Sequence, residues 1–433
     1  NVFRFNSTVT LNNISDIYYE DAVLIGFDVE NKTVVNVMIQ NQDGEVIYDE
    51  NVTSDMLSVP YLDVGNYTVT VTNMETFNVS RSSDSKSFKV LKRSINITVV
   101  VEDNVYGEFS FINVISDIDG VLPVNVGNQQ LLVDVVDGYG NVMISLDAGN
   151  YTAYVNYTNG NYNINMTDCS FVVSKADVGL SVEVLDKVYS ADVDGNVFAT
   201  VDGEYMVVIG NYAVYVVVKD GVGSFNVGIL DAGNHTAFVI FNGARNYNSA
   251  DNKTVFKVTL SGTNFNVIVD ETNVSYGDVI DVTQSLPADA TGNVTYRFAN
   301  GTVINVVGVN ESFELSDLDV GSYVIYADYS GDDNYVSARD SITIVVGKAI
   351  NNVVVIVENV IYPENITINV NADVDGLYTI VIGGRNVIVD VVDGVGRAEA
   401  ALNAGSYDIA VEYVHDNYEN NITSPSFTVS KAD

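Results

Sequence analysis

Apolar and polar residues alternate along most of this chain, which is the period of a half-buried β-strand. From Ile95 to Val101, for example, every second residue is Ile or Val. Segments with an apolar residue at every third or fourth position, as an amphipathic helix requires, are absent. The pattern predicts an all-β protein.

A six-residue phrase, here called the corner phrase, recurs five times at even spacing. Its central glycines are 84, 84, 88 and 84 residues apart. This period is that of a whole small β-sandwich, so the chain is predicted to be a tandem array of five domains. The copies are Leu62–Tyr67, Leu146–Tyr151, Leu230–His235, Leu318–Tyr323 and Leu402–Tyr407, and the predicted repeats are 1–92, 93–176, 177–261, 262–348 and 349–433.

Repeat 2 shows the expected architecture best, with seven short strands separated by turn signals such as Gly127-Asn128 and Asp137-Gly138. Seven strands are typical of a constant-type Ig sandwich. Short linkers between repeats favour limited motion, and the fold class predicted is therefore tandem Ig-like β-sandwiches arranged as an elongated rod. Strands of about 8–10 residues make each repeat about 30–40 Å long and the rod on the order of 150–200 Å.

The corner phrase resembles the tyrosine corner of Ig-like domains, in which a Tyr hydroxyl binds nearby backbone. The glycine is expected to allow a tight backbone approach, and His235, which replaces the Tyr, is expected to weaken the third corner. Two positions after the aromatic residue, where antibody domains have a cysteine, each repeat has an apolar residue. The predicted corner residues are Gly65, Tyr67, Gly149, Tyr151, Gly233, His235, Gly321, Tyr323, Gly405 and Tyr407.

A second signature, here called the Asn-Tyr pair, follows the glycine by about a dozen residues in repeats 2 to 5, in the loop expected between the last two strands. Repeat 1 has Phe77-Asn78 in this region. Two interpretations remain open: the tyrosine closes the end of its own core, or it packs on the neighbouring domain. The pairs are Asn161-Tyr162, Asn246-Tyr247, Asn334-Tyr335 and Asn417-Tyr418.

Composition restricts the function. The net charge of −38 argues against nucleic acid and anionic lipid as partners, because phosphate binding depends on Lys and Arg. One cysteine, Cys169, excludes an intrachain disulfide, and no apolar run is long enough to cross a bilayer. The only histidines, His235 and His415, lie in different repeats and form no catalytic or metal-binding set, so we expect a chain that is not an enzyme.

Eighteen Asn-x-Ser/Thr sequons occur, an excess typical of a glycosylated exterior protein, although such sequences also suit strand starts. The sequons expected in exposed loops, and therefore to be glycosylated, are Asn31, Asn51, Asn252, Asn300 and Asn421.

No cofactor is expected, with calcium as the one alternative. Asp-x-Asp-Gly sequences fall at matching places in three repeats, and clustered carboxylates suit Ca²⁺. Asp-Gly is equally a common hairpin turn. The candidate ligands are Asp117, Asp119, Asp192, Asp194, Asp373 and Asp375.

Three motifs together resemble a known repeat family: Tyr106-Gly107-Glu108 and Tyr276-Gly277-Asp278 near the repeat starts, the corner phrases, and Tyr329–Tyr335 before a last strand. The chain is similar to the Ig-like repeats of archaeal, methanogen-type adhesin-like surface proteins and of related bacterial domains. That resemblance implies an extracellular, cell-surface location and a scaffold role. Because Ser430–Asp433 copies Ser174–Asp177, we expect the chain to be a segment of a longer protein.

Two functions of different classes follow. One is a glycosylated stalk or adhesin segment that spaces or presents an adhesive function, with a cell-surface or glycan ligand. The other is a subunit of a self-assembling fibre or surface layer, whose partners are copies of itself joined by β-strand pairing. A carbohydrate-binding module ranks third, since the chain has no Trp.

Overall fold

The computed structural model describes residues 3–433, and these residues form β-strands, turns and loops without a helix. The chain is therefore all-β and consists of tandem Ig-like repeats. By compactness it divides into two units, and the division passes through repeat 3. The first unit contains the chain up to Leu180 together with Ala199–Tyr205 and Ile240–Asp251. The second unit contains Ser181–Phe198, Met206–Val239 and Asn252–Asp433.

Repeat 2 shows the plan most completely, with two sheets packed face to face. A four-stranded sheet has the order β14-β11-β9-β16 and a five-stranded sheet the order β10-β17-β15-β12-β13. The inward side of each strand fills one core, in which Ile97, Ile112, Val124 and Val133 are fully buried. The strands are β9 (Arg93–Val100), β10 (Asn104–Val105), β11 (Ser110–Ser116), β12 (Gly120–Val126), β13 (Gln129–Val135), β14 (Tyr139–Ile144), β15 (Gly149–Val155), β16 (Tyr162–Thr167) and β17 (Cys169–Ser174).

The expectation of seven strands in repeat 2 was wrong, because nine form. The two additional strands are β10 and β16, and β16 lies in a stretch that the Asn and Gly residues had suggested to be a loop. It pairs in parallel with β9, with Ile164 opposite Ile95. Pairing with a strand about 70 residues earlier is a tertiary effect that local turn propensity does not report.

Repeats 1 and 4 share a plan of three and five strands. The sheet orders are β1-β3-β6 with β2-β8-β7-β4-β5, and β26-β28-β31 with β27-β33-β32-β29-β30. Repeat 1 contains β1 (Thr8–Leu11), β2 (Ile17–Tyr18), β3 (Val23–Glu30), β4 (Val35–Asn41), β5 (Val46–Val52), β6 (Met56–Val59), β7 (Gly65–Asn73) and β8 (Ser82–Leu91). Repeat 4 contains β26 (Asn266–Val269), β27 (Asn273–Ser275), β28 (Ile280–Ser285), β29 (Asn293–Phe298), β30 (Val303–Gly308), β31 (Phe313–Leu315), β32 (Gly321–Tyr329) and β33 (Ala338–Gly347).

Repeat 5 follows repeat 2, with the sheet β39-β36-β34-β42 facing the pieces β35-β43-β40 and β38-β37-β41. Its strands are β34 (Ala349–Val357), β35 (Val360–Ile361), β36 (Ile366–Ala372), β37 (Gly376–Ile382), β38 (Arg385–Val391), β39 (Val395–Ala400), β40 (Gly405–Tyr407), β41 (Ile409–Glu412), β42 (Tyr418–Thr423) and β43 (Phe427–Ser430).

Repeat 3 contains the division between the two units. Strand β20 pairs with β23 in antiparallel fashion and β19 pairs with β25 in parallel. Its strands are β18 (Leu180–Val184), β19 (Lys187–Val188), β20 (Asp194–Ala199), β21 (Gly203–Ile209), β22 (Tyr212–Val218), β23 (Val222–Asn226), β24 (Gly233–Phe241) and β25 (Ala250–Thr259).

Candidate functional site: the contacts between successive repeats

The aromatic residue of every corner phrase binds the backbone carbonyl four residues before it. Tyr151 Oη donates to the Asp147 carbonyl at 2.9 Å, and His235 Nε2 lies 2.8 Å from the Asp231 carbonyl oxygen. The imidazole thus occupies the hydroxyl's place at the same distance. The other contacts are Tyr67 to Asp63 (2.8 Å), Tyr323 to Asp319 (2.9 Å) and Tyr407 to Asn403 (2.7 Å).

The glycine of the phrase is not required by space, contrary to the expected tight approach. A Cβ added at Gly149 would lie 3.5 Å from the Tyr151 ring, and one at Gly65 would lie 3.4 Å from the Tyr67 ring. Both distances are ordinary van der Waals contacts. Gly233 differs, because its φ of +155° lies in the region that disfavours other residues.

The residue two positions after each corner aromatic is buried. Its side chain faces the core in the place that a disulfide cysteine has in antibody domains, so packing replaces the covalent link. The relative exposures are 0% for Val69, Ala153, Ala237 and Ile325 and 9% for Ile409.

Each asparagine of the Asn-Tyr pairs binds the corner phrase of the preceding repeat through both ends of its side-chain amide. Asn161 Nδ2 donates to Asp63 Oδ1 at 2.9 Å, and Asn161 Oδ1 accepts from the Val64 N–H at 3.0 Å. We call this pair of bonds the Asn clamp. It recurs from Asn246 to Asp147 and Ala148 (2.8 and 2.9 Å), from Asn334 to Asp231 and Ala232 (3.1 and 2.8 Å), and from Asn417 to Asp319 and Val320 (2.8 and 3.0 Å).

Local structure aims the clamp asparagine. The Asn161 N–H donates to the side-chain oxygen of Asn159 at 2.9 Å, and the Asn334 N–H donates to Asp332 Oδ1 at 2.8 Å. Such Asx turns fix the backbone without neighbouring strands. The backbone carbonyl of the asparagine accepts from the linker that enters its own repeat, as from the Ala176 N–H to Asn246 at 2.9 Å. The side chain is thereby left to face the preceding repeat.

The tyrosine beside each clamp packs edge-on against a tyrosine of the preceding repeat, and at two boundaries both interpretations of the Asn-Tyr pair apply together. Each tyrosine contacts the neighbouring repeat, and Tyr162 and Tyr335 are also part of the cores of their own repeats. Edge-to-face packing is the favoured arrangement of two aromatic rings. The pairs, with centroid distances and interplanar angles, are Tyr19–Tyr162 (5.3 Å, 90°), Tyr106–Tyr247 (5.4 Å, 80°), Tyr189–Tyr335 (5.3 Å, 82°) and Tyr276–Tyr418 (5.3 Å, 78°).

Carboxylates reinforce the aromatic pair at two boundaries. Tyr162 Oη donates to Glu20 Oε1 at 2.6 Å, and burial together with this bond raises the pKa of Tyr162. At the next-but-one boundary Asp289 accepts from both Tyr189 and Tyr335 at 2.7 Å. These two hydroxyls lower the pKa of Asp289, while the bond to Asp289 raises the pKa of Tyr189 to about 12. Tyr189 and Tyr335 therefore remain neutral hydrogen-bond donors at physiological pH.

Most of the calcium candidates accept hydrogen bonds from turn or strand donors. Asp117 Oδ2 accepts from the Asn96 N–H at 2.7 Å, and Asp119 Oδ1 accepts from the Gly138 N–H at 3.0 Å. Asp373 and Asp375 repeat this arrangement with Asn352 and Gly394 (3.0 and 2.8 Å). Across residues 3–433, no group of three or more His, Cys, Asp or Glu side chains is arranged to hold a metal.

The supposed match of Asp192 and Asp194 with the other candidates was wrong. Asp117 and Asp119 lie in the turn between β11 and β12, whereas Asp192 and Asp194 precede and begin β20. Asp194 pairs with Lys187 and Asp192 accepts from Asn226. The true counterpart of Asp117 is Thr200, whose Oγ1 accepts from the Gly179 N–H at 3.0 Å. The sequence did hold a signal against this match, because Asp192 lies 41 residues before its corner glycine whereas Asp117 and Asp373 each lie 32 residues before theirs.

The five favoured sequon asparagines are all exposed, but three of them are not in loops. Asn31 and Asn300 lie in turns, whereas Asn51, Asn252 and Asn421 lie in β5, β25 and β42. Their outward direction within a strand, rather than a loop position, accounts for their exposure.

Open clefts border the boundaries between repeats. One of about 580 Å³ is lined by Asp319, Val320, His415 and Asn417. His415 has a structural contact there, since its Nδ1 accepts from the Asn417 N–H at 3.1 Å. Its ring lies 5.0 Å from that of Tyr418, so it supports the loop that carries the clamp.

No protein-family model and no curated protein matches the chain. Among solved structures, the four N-terminal Ig domains of Dscam1 isoform 7.44 are similar over 78% of this chain and 99% of that one, with 12% identity and a TM-score of 0.23. Trypsin-activated alpha-2-macroglobulin from Escherichia coli is similar over 99% of this chain and 42% of that one, with 8% identity and a TM-score of 0.17. In the part of the chain that the structure describes, no helix is long and apolar enough to cross a membrane.

Proposed function

We propose that this chain is a non-catalytic structural segment of an extracellular cell-surface protein, in which the Ig-like repeats form a stalk that spaces or presents an adhesive function. The observation that supports this proposal is the recurrence of one contact, the Asn clamp with its tyrosine pair, at four successive boundaries. The same contact at every boundary suits a spacer, because each boundary then restrains its two repeats in the same way.

The strength of each boundary fits this role. Two hydrogen bonds of about 1 kcal/mol each, together with an aromatic pair of about 0.5–1.5 kcal/mol, oppose bending at every linker. The linkers are themselves short: β8 ends at Leu91 and β9 begins at Arg93, and β33 ends at Gly347 and β34 begins at Ala349. The proposed stalk therefore keeps its reach without disulfides.

An exterior location is supported by the surface chemistry. The exposed sequon asparagines and the net charge of −38 suit a glycosylated protein that faces solvent and repels anionic surfaces. The resemblance to archaeal adhesin-like repeats agrees with this location. The ligand of the proposed adhesin is a cell-surface molecule or a glycan, bound outside the scaffold contacts described above.

Small-angle scattering tests the stalk. The intact chain should have a maximum dimension on the order of 150–200 Å. Replacing the clamp asparagines at 161, 246, 334 and 417 by alanine should shorten the mean dimension by permitting bends. Asn242→Ala, an exposed asparagine in the same loop as Asn246, is the matched control. A compact particle for the unaltered chain would contradict the proposal.

Peptide mass mapping of protein from its native source tests the exterior location. We expect glycans at exposed sequons, with Asn31, Asn51, Asn252, Asn300 and Asn421 first. Unmodified asparagines throughout, together with concentration-dependent filaments, would favour assembly over the stalk.

The alternative, self-assembly through strand pairing, is favoured by one specific strand. Strand β22 lies at a sheet edge, and its sequence from Tyr212 to Val218 carries no charge. Tyr215 and Val217 are 69% and 70% exposed. An uncharged edge strand is open to pairing with another chain. If this route operates, Val217→Lys should abolish filaments, whereas Leu132→Lys, on the edge strand β13 that already carries the charge of Asp134, should not.

A further inference from the structure

Repeat 5 presents the same surface that the four preceding repeats use to bind their successors. The Tyr407 hydroxyl donates to the Asn403 carbonyl at 2.7 Å, as in the other corners. The Tyr362 N–H donates to the Ser430 carbonyl at 2.9 Å, as the Tyr106 N–H does to Ser174 at 2.8 Å. The backbone that positions an acceptor, an amide and a tyrosine ring is therefore already built.

Exposure distinguishes this surface from its four counterparts. Tyr362 is 46% exposed, whereas Tyr19, Tyr106, Tyr189 and Tyr276 are each partly covered by a tyrosine of the following repeat. Ala404 is likewise exposed, whereas the residues at its position in the other corner phrases are partly covered. Those residues are Val64, Ala148, Ala232 and Val320.

We propose that Tyr362, Asn403 and Ala404 form a docking surface for the Asn-Tyr pair of another Ig-like repeat of this type. The occupant follows from the internal precedents, because each equivalent surface in the chain binds an Asn-Tyr pair. Asn403 occupies the position at which the other four corner phrases have Asp. Its Oδ1 atom can accept a hydrogen bond from the Nδ2 atom of a clamp asparagine. The Ala404 N–H supplies the donor, and Tyr362 supplies the ring face.

Repeat 1 of a second copy fits this surface less well. Its corresponding loop reads Phe77-Asn78-Val79, so it retains an asparagine but has a valine in place of the tyrosine. The Phe5 N–H binds the Asn78 carbonyl at 2.8 Å, which places Asn78 in the position of the clamp residue. Without the tyrosine, the edge-on contact with Tyr362 is lost.

The test extends the whole chain by one further repeat. Ser430–Asp433 is identical to Ser174–Asp177, so appending a copy of residues 178–261 after Asp433 reproduces the sequence at the boundary of repeats 2 and 3. Hydrogen exchange at the Ala404 amide should slow about tenfold, and nitration of Tyr362 by tetranitromethane should fall. Alanine at the appended counterpart of Asn246 should reverse both effects, whereas alanine at the counterpart of Asn242 should not.

Two results would overturn this assignment. One is that the exchange rate of the Ala404 amide and the extent of Tyr362 nitration are the same with and without the appended repeat. The other is concentration-dependent association of the unextended chain that Asn78→Ala abolishes, since that would assign the surface to a second copy. The inference rests on the same contact as the proposed stalk, but the two fail separately. Exchange at the internal Ala148 amide in an Asn246→Ala chain reports on the stalk alone.

Discussion

The side-chain amide of Asn161 lies 2.9 Å from the carboxylate of Asp63, although 98 residues separate them in sequence. The same amide also accepts from the Val64 N–H, so a single side chain satisfies a charged acceptor and a backbone donor of the preceding repeat. Because the asparagine is held by its own turn, this contact couples the orientation of one repeat to that of the next.

Exchanging the two side chains of this contact tests its chemistry. Asn161→Asp places two carboxylates together and should weaken the boundary by about 1–2 kcal/mol through loss of the bond and like-charge repulsion. Adding Asp63→Asn should restore most of this, because the amide then donates from the other side. Hydrogen exchange at Val64 is the measurement, and Asp63→Asn alone serves as the control. Absence of rescue would refute a direct bond.

Removing the corner hydroxyl should destabilise repeat 2 modestly. Tyr151→Phe deletes the bond to the Asp147 carbonyl and should cost about 1 kcal/mol, since the ring still stacks on Phe171 at 5.7 Å. Tyr154→Phe, on the outward face of the same strand, should have no effect. Urea denaturation, followed through core signals of repeat 2, separates the two variants. Equal stability of both would argue against the corner's contribution.

Two glycines of repeat 2 should differ in how well they tolerate alanine. At Gly149 a Cβ meets only ordinary contacts, so Gly149→Ala should change stability by about 0.5 kcal/mol or less. At Gly140 a Cβ would lie 2.5 Å from the Asp134 carbonyl oxygen. Gly140→Ala should therefore cost about 1–3 kcal/mol through forced backbone movement. Thermal melting of the two variants is the check, and the reverse order would contradict this account.

Acid should destabilise repeat 4 through Asp332. Partial burial opposes ionisation of this carboxyl, but amide donors including Thr291, Asn334 and Tyr335 outweigh it and lower its pKa to about 2. A lowered folded-state pKa contributes stability above the unfolded value of about 3.9, and that contribution is lost as the pH falls towards 2.

The check on Asp332 is the melting temperature of repeat 4 between pH 5 and pH 2, followed through the buried Ile344 methyl signal. Asp332→Asn should reduce the acid dependence, whereas Asp333→Asn, at an exposed neighbour, should not. A profile that both variants leave unchanged would exclude Asp332 as the titrating group.

Removal of calcium should not change stability. The carboxylates of Asp119 and Asp375 accept from turn amides, so they stabilise hairpins without a metal. Calorimetric melting with and without EDTA should coincide, and isothermal titration with CaCl₂ should show no saturable site. A rise in melting temperature on adding calcium, lost in Asp119→Asn, would reverse this expectation.

The period-two alternation and the regular corner phrases determined the fold class and the repeat pattern, because strand burial and tight turns depend on local spacing. Strand β16 was missed for the opposite reason: its Asn-rich sequence resembles a loop, and pairing with β9 makes it a strand. The prediction that Asp192 corresponds to Asp117 was wrong for a related reason. A short turn motif does not by itself define which turn of the fold it forms.

The amino-acid sequence by itself identified both halves of the repeat boundary, the corner phrase and the Asn-Tyr pair, but not that they bind each other. Tertiary structure decided that, because contacts such as Asn417 to Asp319 join residues 98 positions apart. Their geometry depends on how each turn aims its side chain. Local propensity sets the turn, whereas the partner that a side chain meets is set by how successive folded domains pack.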